Sequence, residues 1–358
     1  MKPDAVLISD GGADNMARAR PRAARPAELA TSTAATVSHP HALHGADAIW
    51  QETNCYMDLW IELLHGRGLD PRAALPFTVT QDFEGDHFTF FKYPQMDLEL
   101  LYGTVVQEMP VYDTLEAHVV AQVSRGHTVL VELDSYYLPD ARATAYRHEH
   151  VKTTVAIDRI TPAAQELGYY HGLGYHTLAA EDYRGAMRLT PELSGNGNIL
   201  FPYAEFARQA RAPLRARALV SASVSLMRHH LTRRPAANPV SQWRTVFGGQ
   251  MEVLLARGDA YFHQYSFNLP RQLGAGFELL HHYLGWLAEH DYRIPAAAAL
   301  AARAVATECK VLQFRLARAV ARRRHDDCAD CLETLEASYE RAMAGLVSAF
   351  GCATRLHA

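Results

Sequence analysis

Hydrophobic positions show no clear period over residues 1–46, where Ala, Arg, Pro and Ser dominate, so a mobile tail is predicted there. From Trp50 to about Leu189 two periods alternate. Tyr56, Leu59, Trp60, Leu63 and Leu64 fall at helical spacing, with Gly66 or Gly68 to end the helix. Strands are predicted over 77–80 and 87–93, joined through Glu84, Gly85 and Asp86. Two amphipathic helices follow, through Leu98, Leu101, Tyr102 and Val105 and then through Leu115, Val119 and Val123, the second stopped by Gly126. β-branched residues then mark strands over 128–133, 151–157 and 167–170.

Beyond Pro202 the pattern is almost wholly helical, with periodic segments over 203–230, 240–257, 270–289, 295–323 and 327–350 and Pro235, Pro239, Pro270 and Pro295 at their starts or linkers. The expected architecture is α+β over 47–193 followed by a helical bundle over 194–358, with Gly195 to Asn198 in the linker.

Composition changes this picture little: 49% apolar and 21% charged residues are ordinary for a globular chain. A net charge of −4 without a concentrated basic face argues against nucleic acid as the main partner. No stretch approaches the ~20 apolar residues of a membrane span, and no signal core is visible, so the expected compartment is the cytoplasm. Five cysteines among 358 residues predict reduced thiols. The Cys328, Cys331 pair with His325 lies in a helical pattern without a second pair at ligand spacing, and His39, His41 and His44 lack acidic or thiol companions, so no metal is expected.

The chemistry centres on Cys55, placed at the first turn of a helix with Thr53 or Asn54 as N-cap. A thiolate there is favoured by the positive end of the helix dipole. Its partner histidine is sought in His148-Glu149-His150, which leads into the strand over 151–157. His150, at the strand entry, is more rigidly held than His148, though the two share a face. For the third group, Asp158 lies eight residues along the strand, ~26 Å away, and is excluded. Asp134, at the end of the preceding strand, comes first, and His171, from a hairpin turning near Pro162, second.

The residues Asn54-Cys55, Leu133-Asp134-Ser135-Tyr136-Tyr137-Leu138-Pro139 and His148-Glu149-His150 resemble the N-terminal domain of the butirosin-biosynthesis acyltransferase family over about residues 50–180. That resemblance implies a papain-like fold and transfer of an aminoacyl group from a carrier-protein thioester to an amine by a Cys–His pair. A closer resemblance, to a bacterial family numbered as domain of unknown function 1839, rests on ETNCYMDLWIELLH, DFEGDHFTFFKYP, LYG, VELDSYYLPD, HVKTT and NLPRQLGAGFELL. It implies Cys55 and His150 as catalytic, with Asp134 beside them, and makes Glu84 and Asp86 substrate contacts. Tyr137, His148 and His171 join them as substrate-contact candidates. Papain's oxyanion glutamine has no counterpart six residues before Cys55, leaving Gln51 or Asn54, with the Cys55 N–H, as candidate donors.

The expected activity is therefore ping-pong acyl transfer from an aminoacylated carrier protein to a small amine, with no cofactor beyond the donor's own phosphopantetheine. A papain-like amide hydrolase and a binding protein on the same scaffold are the alternatives.

Overall fold

The structure, a computed structural model, describes residues 39–193 and 200–351. Its first half is built on one antiparallel sheet of six strands in the order β1-β6-β2-β3-β4-β5. These are β1 (Thr104–Glu108), β2 (Thr128–Asp134), β3 (Lys152–Thr161), β4 (Glu166–His171), β5 (Gly174–Ala179) and β6 (Ala204–Gln209). Successive side chains point to opposite faces, and both faces are buried. Leu130, Ala156, Tyr170 and Ala207 face helix α1 (Cys55–Gly66), whereas Val129, Val131, Leu133, Val155 and Ile157 face α3 (Leu115–Val123) and α4 (Ala180–Ala186).

The second half comprises α5 (Ala216–Thr232), α6 (Pro239–Arg257), α7 (Asp259–Ser266), α8 (Gln272–Glu289), α9 (Ala296–Arg322) and α10 (Ala329–Phe350). α8 is buried on nearly every side, with Leu273, Phe277, Leu280, Tyr283 and Leu287 in the same apolar cluster as α1 residues Met57, Trp60 and Leu64. The α+β half and the helical half thus share one continuous core. Among the described residues no helix is long and apolar enough to cross a membrane.

Several expectations need correction. Residues 39–46, assigned to the tail, are ordered, with a 3-10 turn at Ala42–His44 that buries Leu43 and His44; the rest of that tail lies outside the described residues. Residues 77–80 belong to a 3-10 helix (Pro76–Thr80), because Pro76 presets its first turn, and 87–93 contribute only the isolated bridge Phe83↔Phe88. α2 spans Gln95–Tyr102, and Val105 lies in β1. Residues 204–209, predicted helical, form β6 between β1 and β2, so the first half extends to 209 and the boundary set at 194 falls inside it; the linker glycines lie outside the described residues. Pro270 starts no helix. It sits in a π turn (Phe267–Arg271) through which α7 runs on into α8.

Gly103 is the hinge between α2 and β1. It closes α2 at φ +67°, and a Cβ added there would lie 2.2 Å from the Arg211 carbonyl oxygen. The left-handed backbone alone costs an alanine about 1–2 kcal/mol, and the contact is with backbone rather than a side chain that can swing away. Gly103→Ala should therefore lower the unfolding free energy by at least ~2 kcal/mol in urea titration; an unchanged midpoint would show that the 210–212 segment yields.

Candidate active site

Cys55 is the first residue of α1, and the chain before it is clasped onto that helix. Asn54 caps the helix, accepting from Met57 N at 3.0 Å, and its Nδ2 donates to the Phe91 carbonyl at 3.1 Å. Thr53 donates its N–H and its hydroxyl, the latter at 2.6 Å, to Asp58. His44, buried, donates Nδ1 to Glu62 at 2.5 Å and lies 3.4 Å from Asp58 through Nε2, while His41 N–H also donates to Glu62. Burial alone would lower the His44 pKa. The two carboxylates outweigh it and raise it to about 9, so His44 is an imidazolium at neutral pH.

Among the four described cysteines Cys55 is the only one not buried. Burial pushes the thiols of Cys328 and Cys331 up to about 12 and raises that of Cys309, which leaves Cys55 as the accessible nucleophile. Its Sγ donates to Thr154 Oγ1 at 3.7 Å. Asn54 occupies the N–H of Met57 with its side chain and that of Asp58 with its carbonyl. The N–H groups of Cys55 and Tyr56 have no protein acceptor among the described residues and are available to an oxyanion.

Thr154 belongs to a polar strip on the α1 face of the sheet. Alternation puts Lys152 and Thr154 on one side, and register sets Asp134 opposite Lys152 and Glu132 opposite Thr154; β3 begins at Lys152, so His150 stands two residues before the strand and not at its entry. His150 donates Nδ1 to Asp134 Oδ2 at 2.6 Å and stacks on Tyr136 with ring centroids 4.4 Å apart. Lys152 pairs with Glu132 at 2.6 Å. Asp134 is itself fixed by the Tyr136 N–H at 3.0 Å.

The expected His150–Asp134 pair is therefore formed, with Nε2 left free, but His150 makes no hydrogen bond to Cys55. The thiol meets Thr154, four residues after His150 and inside β3. Asp134, which holds the imidazole, stands opposite Lys152, two residues (~6.6 Å along the strand) from Thr154.

The remaining candidates scatter. His148 is exposed on the turn before His150. His171 is on the opposite face of the sheet, bonded to Asp140 through Nδ1 and to Thr153 Oγ1 through Nε2 at 2.8 Å, and so is excluded as the third member; parity along β4 put it there. Tyr137 packs its ring against Gly185 of α4, and its neighbour Tyr136 is the one that touches the site. Glu84 and Asp86 stand exposed on the turn between Phe83 and Phe88, bonded to Thr89 and His87 and in no contact with Cys55. Asn54 is the cap, and Gln51 is exposed and lines a separate cavity.

Sequence reasoning missed Thr154, although it lies within HVKTT, and Glu205. The Glu205 carboxylate is buried on the α1 face and accepts from Tyr56 OH at 2.9 Å, Tyr203 OH at 2.9 Å and Gln95 Nε2 at 3.2 Å. Burial and this carboxylate raise the Tyr203 phenol to about 12. Lys92 lies over the Tyr56 ring at 4.4 Å. Glu205 could not be placed because β6 itself was read as helix.

Fold and site together define an α+β protein with a helical extension, carrying a helix-terminal thiol beside an aspartate-held histidine. The chain belongs to the DUF1839 family: the N-terminal domain model of that family matches residues 39–209 and the C-terminal domain model residues 216–348. No curated protein matches it significantly.

The His44 clasp has a pH signature. Its folded pKa lies above the unfolded ~6.5, so its stabilisation is fully present below about pH 6.5 and is lost as pH rises through about 9. Wild-type Tm should therefore fall toward that of His44→Gln between pH 6.5 and 9.5, and His44→Ala at neutral pH should cost ~3–5 kcal/mol by leaving buried carboxylates uncompensated. A Tm difference between wild type and His44→Gln that does not change with pH would show that His44 carries no proton in the fold.

Proposed function

We propose that this protein is a cysteine-dependent acyltransferase, in which Cys55 takes an aminoacyl group from a carrier-protein thioester and passes it to a small amine. The observation that carries this reading is a half-buried thiol at the N-terminus of α1, bonded to Thr154, near an Asp134-held imidazole that makes no hydrogen bond to it. A base whose task was to strip the thiol would touch Sγ. An amine attacking an acyl carbon on sulfur approaches to ~3–3.5 Å, and its base must lie ~2.6–3.2 Å beyond. In this reading His150 serves an acceptor lying between it and Cys55.

The steps then balance. The Cys55 thiolate, stabilised by the α1 N-terminus and by a hydrogen bond from the Thr154 hydroxyl, adds to the thioester carbonyl. The oxyanion meets the N–H groups of Cys55 and Tyr56, the bond to the carrier's phosphopantetheine sulfur breaks, and that thiolate leaves. The amine next attacks the acyl-enzyme, its proton passes to His150 Nε2, and the Cys55 thiolate is released. Exchange of one thioester for another is nearly isoenergetic, so no nucleoside triphosphate is required. Glu205, on the same face and without a cationic partner among the described residues, favours the ammonium group of an aminoacyl donor or an amine acceptor. The resemblance of residues 50–180 to carrier-dependent aminoacyl transfer supports the same donor.

Wild-type protein given an aminoacylated carrier without acceptor should accumulate a mass increment on Cys55 that added amine discharges. Cys55→Ala should show no increment and no transfer while keeping the wild-type melting curve, since a small residue suffices at the half-buried first turn. Substantial transfer by Cys55→Ala would refute the reading. Discharge mainly by water at millimolar amine would instead make the protein a hydrolase of the same chemistry.

A further inference from the structure

Beside the segment that leads into Cys55 lies a cavity of about 470 Å³, walled by residues 48–52 on one side and by Arg271, Lys310 and Gln313 of the helical half on the other. Each wall is held in place. Glu278 of α8 accepts from the N–H groups of Ile49 and Trp50, both at 2.7 Å, and the Trp50 indole donates to the Ala306 carbonyl at 3.1 Å. Arg271 donates to the Glu52 carbonyl through Nε at 3.1 Å and through Nη2 at 2.9 Å, and to the Glu52 carboxylate at 3.2 Å. Gln313 is anchored to Ser266 at 2.8 Å.

Lys310 differs from the rest. Its ammonium lies 4.0 Å over the Trp50 ring and forms no ion pair among the described residues. Glu278, the nearest acid by charge effect, spends both oxygens on backbone donors. Burial first, and then Arg271, lower the Lys310 pKa; Arg271 is paired with Glu52, which leaves the Lys310 ammonium as the cation of this partly dehydrated space with no acid of its own among the described residues. A half-buried ammonium of this kind gains most from an anion brought in from outside.

We propose that this cavity binds the anionic oxygen group, phosphate or carboxylate, of a ligand, with Lys310 as the principal cation and Arg271 and Gln51 at its rim. Glu52 lies three residues from Cys55, at most ~11 Å of extended chain, so an anion held here sits within reach of a group reacting at the thiol. The site does not depend on acyl transfer, and binding alone tests it.

The test is calorimetric titration of the full chain at low ionic strength with inorganic phosphate and, separately, with acetate. Saturable binding of one or both is expected, weakened at least tenfold in Lys310→Gln and kept within about threefold in Lys310→Arg. Tighter phosphate would assign a phosphate-bearing ligand, and tighter acetate a carboxylate. Gln51→Glu, which places a carboxylate at the rim of an otherwise intact cavity, should also abolish binding, and serves if Lys310→Gln fails to fold. No saturable binding of either anion, or binding equal to wild type in Lys310→Gln or Gln51→Glu, would overturn the assignment.

Discussion

The candidate site depends on the buried ion cluster of His44, Asp58 and Glu62. Two carboxylates one turn apart on the buried face of α1 are costly in a low-dielectric core unless matched by charge and donors. His44 supplies the charge, and Thr53 and His41 supply the donors. Glu62 Oε2 has no hydrogen-bond partner among the described residues, which makes the cluster rely on His44. The consequence is mechanical: Asp58 fixes Thr53, Thr53 fixes the extended backbone of Asn54, and Asn54 sets the first turn on which Cys55 stands. An arrangement that holds a thiol this firmly suits a nucleophile that must meet a substrate without rearranging.

The sheet supplies the other half of the geometry through alternation alone. Along β3, Lys152 and Thr154 carry the polar strip, with His150 two residues before the strand, while Thr153, Val155 and Ile157 face the opposite core. A shift of one residue would exchange Thr154 with Val155 and Lys152 with Thr153 between the two faces, so register and chemistry are fixed together. The helical half backs α1 through the shared core and supplies the Glu278, Arg271 and Lys310 contacts to residues 49–52. The two family domains thus meet at the segment that presents the thiol.

Much of this was legible in the sequence. The helical spacing from Tyr56 to Leu64, the N-cap at Asn54 and the runs that form β2, β3 and β4 each follow from local chemistry, and so do the pairing of Asp134 with His150 and most of the second-half helices. What escaped reading depended on contacts distant in sequence. AEFARQ became β6 because two strands with open edges flank it, not because its own alternation demands a strand. His44 read as part of a featureless tail because its partners lie 14 and 18 residues away on another element. His171 was misplaced through hairpin proximity without strand parity. The site's acid at Glu205 was hidden by the same error that hid its strand.

The central claim is that His150 serves the acceptor and not the thiol, and single-turnover kinetics divides these roles. With a thioester donor and His150→Gln, the account predicts Cys55 acylation within a few-fold of wild type and amine-dependent discharge slowed by roughly 10²–10⁴, the usual worth of a general base. Loss of the acylation step by a comparable factor, with discharge by amine unaffected, would contradict it and would make His150 the activator of Cys55.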